Sequence, residues 1–338
     1  MTLMNAARAP QLLSNLVLVH GLNGDRIQTW THDRTGVCWP RDLLPAKLPL
    51  TRVLSFGFNA DIYGNTSVEG IRGNARALLS RLIDERDDVD SYDRPIVFVA
   101  HSLGGLIVKQ ALRFAHNETT YQSLATSTRG LLFYGTPHAG SSTDRWLQLA
   151  RSFAPLHPPK SKSHILSPFH RLPSPLVQAL ESNSTDIADI CEDFRHLARR
   201  YAIISFYETH AWPGTRAPIV DRMSALMMLD HEDQVPLEAH HLDLCRFADA
   251  RDEGFRMTCR RIEMAAKGFV DAAGPLEEGG SAGGNIYYEV PSRSRAMSEE
   301  RQGVRPITTD PRRLLMPPPP PQSQYAWVDS TASSRRRV

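Results

Sequence analysis

The chain of 338 residues has no long hydrophobic run, no excess of either charge and no paired cysteines. No stretch approaches the roughly 20 consecutive apolar residues of a bilayer-spanning helix, so no membrane span is expected. Lys plus Arg number 39 against 37 Asp plus Glu, a formal net charge of +2. That balance supplies no basic field and argues against a DNA or RNA binder. Cys38, Cys191, Cys245 and Cys259 stand far apart without a CxxC pair. Neither a disulfide framework nor a zinc knuckle is expected, and a reducing compartment fits. The opening stretch, MTLMNAARAPQLLSN, holds one Arg and no apolar core of the kind a secretory signal carries, so the expectation is an intracellular, non-secreted protein. Internal repeats and a GxxxxGKS or GxxxxGKT phosphate loop are absent.

What is present is a globular composition, 41% hydrophobic and 22% charged, enough for a sizeable core. Short apolar runs at 16–20 (LVLVH), 52–59, 95–101, 130–135 and 201–207 read as buried parallel strands. Helical patterns lie between them, at 39–48, 67–87, 104–116 and within 141–200, with a closing helix at 255–267. Over 67–87 the apolar positions Ile71, Ala75, Leu78, Leu79 and Leu82 fall on one stripe. Strands alternating with helices predict an α/β fold with a mostly parallel sheet flanked by helices. The expected organisation is a lead at 1–15, a body at 16–267 and a tail at 268–338. The tail, with GPLEEGGSAGGN, five prolines at Pro317–Pro321 and a terminal SSRRRV, is too poor in apolar residues to offset its ordering entropy and is expected to be disordered. The proline run could serve as a ligand for a polyproline-binding adaptor domain, or be a solvated stretch.

Residues 97–112, VFVAHSLGGLIVKQAL, run an apolar strand into Ala100-His101-Ser102-Leu103-Gly104 and directly into a helix. This is the pattern of a nucleophile elbow, a cramped turn that exposes a serine hydroxyl above the sheet. Small residues are needed two before and two after the serine. Gly104 fits, Ala100 stands where glycine is usual and adds only a methyl group, and Gly105 lets the helix pack closely. Upstream, the first strand ends in His20-Gly21-Leu22-Asn23-Gly24. The backbone N–H groups of Leu103 and Leu22 are the candidate donors to a developing oxyanion.

Five motifs in order, LVLVHGLNGD, VFVAHSLGGLIVKQAL, GLLFYGTPHAGSS, ISFYET and VPLEAHHLDLCRF, resemble the α/β-hydrolase superfamily, lipase-like. More closely the chain resembles the serine-active-site-containing protein family, which in fungi also supplies the leading domain of NACHT and NB-ARC proteins. The resemblance covers roughly 16–266 and implies an α/β-hydrolase fold with a helical cap insertion at about 141–200. It also implies a partner histidine and acid after the serine. By position along the sheet, His240 or His241 can be the base, and Glu208 in FYET or Asp221 in PIVD the acid. The family pattern maps its histidine to His241 and favours Glu208, with Asp221 as the alternative, and it makes His138 in GTPHAGS a site-lining residue beside His20, Gly21 and His101.

The implied activity is hydrolysis of carboxylic or lipid esters through an acyl-enzyme on Ser102, in lipid remodelling, with no metal or organic cofactor. The pairs His32-Asp33 and Asp230-His231 lack ligand spacing and read as solvated loops. Apolar residues in the cap segment, Trp146, Phe153 and Leu166 among them, favour a lipid acyl group and leave room for peripheral membrane contact. The resemblance also implies a mitochondrial or endoplasmic reticulum address. A second reading is a silent hydrolase-fold interaction module, related to the fungal receptor-like leading domains.

Overall fold

A computed structural model of the chain describes residues 14–22, 24–60, 70–86, 94–138, 184–267 and 325–329. Strand β1 (Ser14–Val19) pairs in parallel with β2 (Thr51–Gly57) on one side and β3 (Ile96–His101) on the other, with Val19 beside both Phe56 and Ala100. Strands β4 (Thr128–Tyr134), β5 (Ala202–Glu208) and β6 (Glu232–Leu237) extend the sheet in that order, each parallel to the last. The far edge, next to β2, is taken by β7 (Tyr325–Asp329), also parallel. The full order is β6-β5-β4-β3-β1-β2-β7.

Helices cover both faces because the strand residues alternate between them. Val17, Val19, Phe56, Phe98 and Phe133 face α3 (Ile71–Glu85), α4 (Gly104–Asn117), α5 (Gln122–Ser127) and α6 (Ser184–Ala198). Leu16, Leu18, Val97, Val99 and Phe206 face Trp30, Trp39 and the closing helix α8 (Glu253–Lys267). The short helices are α1 (Trp39–Asp42), α2 (Leu44–Lys47) and α7 (Arg222–Ala225). Each buried large side chain contributes about 1.5–3 kcal/mol, so the two layers hold the sheet rigidly enough to fix what stands at its carboxyl edge.

Three departures from the sequence reading have physical causes. The single helix expected over 39–48 is two turns, because Pro40 and Pro45 each sit in the first turn of one of them and an interior proline cannot donate the helical hydrogen bond. Residues 139–183, most of the expected cap, lie outside the described residues. The end of that span is α6, whose Ile187, Ile190 and Phe194 join the core with α4, so it belongs to the body rather than to a lid. Of the tail expected over 268–338, five residues are described past α8, and these form β7; YAWVD is rich in the aromatic and β-branched residues that strands favour. The proline run lies outside the described residues.

Candidate active site

Ser102 occupies the turn between β3 and α4 with φ of +53°, a left-handed conformation that costs a non-glycine residue about 1–2 kcal/mol. The turn is held by the Ser102 N–H, which donates to the Tyr134 carbonyl at 2.8 Å. Close packing under it demands glycine at 104: a Cβ there would stand 2.4 Å from the His20 carbonyl oxygen and 2.5 Å from that of Val19. Gly105 abuts the Thr136 side chain. Ala100 is fully buried in β3 between Val19 and Phe133, where its methyl group is accommodated.

Glu208 closes β5 and His241 follows β6, so adjacent parallel strands deliver both to the carboxyl edge where Ser102 stands. His241 Nε2 lies 3.0 Å from Ser102 Oγ, and His241 Nδ1 lies 3.1 Å from Glu208 Oε1. All three residues are buried. The carboxylate of Glu208 also accepts the Val220 N–H at 2.7 Å and the Ile219 N–H at 3.2 Å. With Glu208 as acceptor, the His241 proton sits on Nδ1 and its Nε2 lone pair faces the serine hydroxyl, an arrangement able to take a proton from it.

Asp221 is placed differently. It caps α7, accepting both the N–H and the hydroxyl of Ser224, and is exposed. His240 points away from the serine, its Nε2 3.1 Å from Asp243 and its ring edge-on to Trp212.

The His20-Gly21-Leu22 loop lies against the serine: a Cβ on Gly21 would be 2.6 Å from Ser102 Cβ. His20 stacks on Phe58 with ring centroids 4.3 Å apart. Its Nε2 accepts the Phe58 N–H and its Nδ1 donates to the Gly21 carbonyl at 3.0 Å, which shapes the loop. Among the described residues, the N–H groups of Leu22 and Leu103 have no hydrogen-bond partner, and both residues are buried. His138 is buried beside Phe133 and lines a cavity with Lys109 and Cys191. Burial, with Lys109 and Arg195 nearby, holds its imidazole well below the usual histidine range.

Two features of the site were not readable from the motifs. His101 Nε2 donates to the backbone carbonyl of His241 at 2.9 Å, tying the histidine loop to the elbow. Burial, assisted by His241, keeps its imidazole well below the usual range and therefore neutral. Gly135, with φ of +55°, clears the His241 ring: a Cβ there would meet His241 Nδ1 at 3.0 Å. The signal for Gly135 was its position just after β4, which spacing alone does not distinguish from an ordinary turn. Among the described residues, no three His, Cys, Asp or Glu side chains gather as metal ligands, and no helix is long and apolar enough to cross a membrane.

Residues 14–157 match the family model described as "Putative serine esterase (DUF676)". The chain is similar to Protein SERAC1 of Danio rerio, with 27% identity over 256 residues, covering 69% of this chain and 36% of that protein. It is also similar to Protein SERAC1 of Homo sapiens, 24% identical over 254 residues with the same coverage of 69% and 36%. The chain thus spans 36% of the length of the curated relatives it matches. Among solved structures it is similar to a monoacylglycerol lipase of Paleococcus ferrophilus, at 17% identity and a TM-score of 0.43, covering 76% of this chain and 95% of that one. A structure from work on carboxylesterases of Nitrososphaera gargenis gives 10% identity, a TM-score of 0.43, and coverage of 75% and 91%. The chain has an α/β-hydrolase fold, a mostly parallel sheet flanked by helices.

Proposed function

We propose that this chain is a serine hydrolase of carboxylic esters, lipid esters among them, working through an acyl-enzyme on Ser102. The observation that carries the reading is the continuous chain from Ser102 Oγ through His241 to Glu208, with contacts of 3.0 and 3.1 Å, at a strained elbow. A strained conformation of this kind at a buried serine supports a catalytic role for it.

In this reading Ser102 Oγ attacks the ester carbonyl while His241 Nε2 takes its proton, and Glu208 steadies the imidazolium. The carbonyl oxygen becomes an oxyanion received by the N–H groups of Leu22 and Leu103, each worth about 10²–10³ in rate. His241 returns the proton to the departing alcohol. Water then adds to the acyl-serine by the same route and frees the acid. The match of residues 14–157 to the model described as "Putative serine esterase (DUF676)" supports ester chemistry, and the apolar residues of the 139–183 segment support an acyl chain as the group recognised.

The test is labelling of the purified protein by a fluorophosphonate probe beside the Ser102→Ala variant. Labelling of the wild type alone is expected and would lead to an ester chain-length series. A folded wild type that stays unlabelled, with and without mild detergent, would overturn the hydrolase reading in favour of an interaction module.

A further inference from the structure

We propose that Lys109 and Cys191 are a redox modification site: a peroxide links Lys109 Nζ to Cys191 Sγ and staples the elbow helix α4 to α6. The inference is independent of ester chemistry at Ser102. Lys109 lies fully buried between α4 and α6, and its Nζ donates to Cys191 Sγ at 3.4 Å. Among the described residues that is its only hydrogen bond; the rings of Phe133 and Phe194 flank it at 6.0 and 5.8 Å. A buried amine answered by a thiol rather than a carboxylate is costly, since methionine would fill similar volume without a desolvation penalty. The pairing is accounted for when the two groups react with one another.

The environment suits that reaction. Burial pushes the Lys109 amine below its ordinary range, with the Cys191 contact and Glu232 opposing in part, so a lone pair is more available there than on a surface lysine. Both residues line a cavity of about 200 Å³ together with His138, Glu192 and Arg195, room for a small hydroperoxide; neither Glu192 nor any other carboxylate of the described residues hydrogen-bonds the amine. The other cysteines differ. Cys38, Cys245 and Cys259 are buried in the layer on the opposite face of the sheet. Among the described residues, none of those three has a lysine amine in hydrogen-bond reach.

The chemistry balances with one hydroperoxide, ROOH. Cys191 sulfur attacks the peroxide; an S–O bond forms, the O–O bond breaks and ROH departs, the sulfur losing the two electrons the peroxide gains. The Lys109 lone pair then attacks the sulfenic sulfur; an S–N bond forms, the S–O bond breaks, and hydroxide leaves with an amine proton as water. In sum, Cys–SH, Lys–NH2 and ROOH give Cys–S–NH–Lys, ROH and H2O. A second hydroperoxide can insert one oxygen into the same bridge, giving N–O–S and a second ROH.

The experiment titrates the full-length chain with hydrogen peroxide, digests it without reductant and reads the peptides by mass spectrometry. The Lys109 and Cys191 peptides are expected joined, lighter than their sum by about 2 Da for the S–N bridge or heavier by about 14 Da for N–O–S. The joined species should disappear on thiol reduction and be absent from Lys109→Arg and Cys191→Ser. The wild-type measurement stands by itself if either variant folds poorly. Cys191 recovered as sulfinic acid or as a sulfenic-acid trap adduct with Lys109 free would overturn the proposal, as would a folded protein in which Cys191 resists peroxide.

Discussion

Glu208 and Asp221 are chemically near-equivalent, and their surroundings separate them. Glu208 accepts three N–H groups, from Ile219, Val220 and His241, whereas Asp221 spends its carboxylate on Ser224. Glu208→Gln keeps the volume but turns an N–H-bearing amide toward donors and disfavours the required His241 tautomer. Its kcat for an ester should fall by about 10³–10⁴. Asp221→Asn, which replaces one good helix cap by another, should stay within about threefold. Steady-state ester hydrolysis by the two variants decides; equal losses would remove Glu208 from the proposed role. His101 acts one step further out. His101→Phe keeps an aromatic ring but leaves the His241 carbonyl buried without its donor, a loss of about 1–3 kcal/mol in stability. Its kcat should fall while KM is nearly unchanged, and His101→Gln, which keeps a donor, should recover part of the loss. A fall in stability with kcat unchanged would leave His101 a purely structural residue.

Elements, more than single residues, show what a sequence can disclose. The elbow was legible because its chemistry is local: strand, Ser102, Gly104 and helix are contiguous. Strand β6 gave no clear apolar run, since only Val235 and Leu237 of EDQVPL turn inward and Pro236 suits an edge. Position after the last expected strand narrowed the base to His240 or His241, and motif resemblance chose His241. Lys109 sits amid an apolar helical stretch, and only the packing of α6 on α4 reveals it as buried. Gly135 belongs to the same class, because its need for glycine comes from a ring more than a hundred residues downstream. Gly135→Ala combines strain at positive φ with a Cβ 2.9 Å from Leu244 and 3.0 Å from His241. The side chain that yields is expected to be His241, at the end of a loop. The variant should therefore lose at least about tenfold in kcat for a stability loss of about 1–2 kcal/mol, read by ester turnover beside urea unfolding. A stability loss with turnover intact would show that Leu244 yields instead.

At the scale of the whole molecule, the balance of charges conceals an acid sensitivity built from histidines. Burial holds His101 and His138 well below the usual histidine range, and lowers the partly exposed His116 less. An unfolded histidine titrates near pH 6.5. Below that pH the unfolded chain binds protons that the folded chain refuses, so ν for the unfolded state exceeds ν for the native state and stability falls as pH falls. His101 and His138 should each contribute a slope approaching one proton's worth as pH falls below about 6.5, with no contribution above about pH 7.5. His138 isolates the effect. Its two ring nitrogens are buried without a hydrogen-bond partner among the described residues, and it stands apart from the His241–Glu208 contact. His138→Leu should leave neutral-pH stability equal or higher, because unpaired polar atoms are removed, and should reduce the acid slope by about one proton's worth. Urea unfolding of wild type and variant from pH 7.5 down to 5 measures both quantities. A slope unchanged by the substitution would mean that His138 titrates in the folded protein, and that the acid sensitivity resides in His101 and the carboxylates instead.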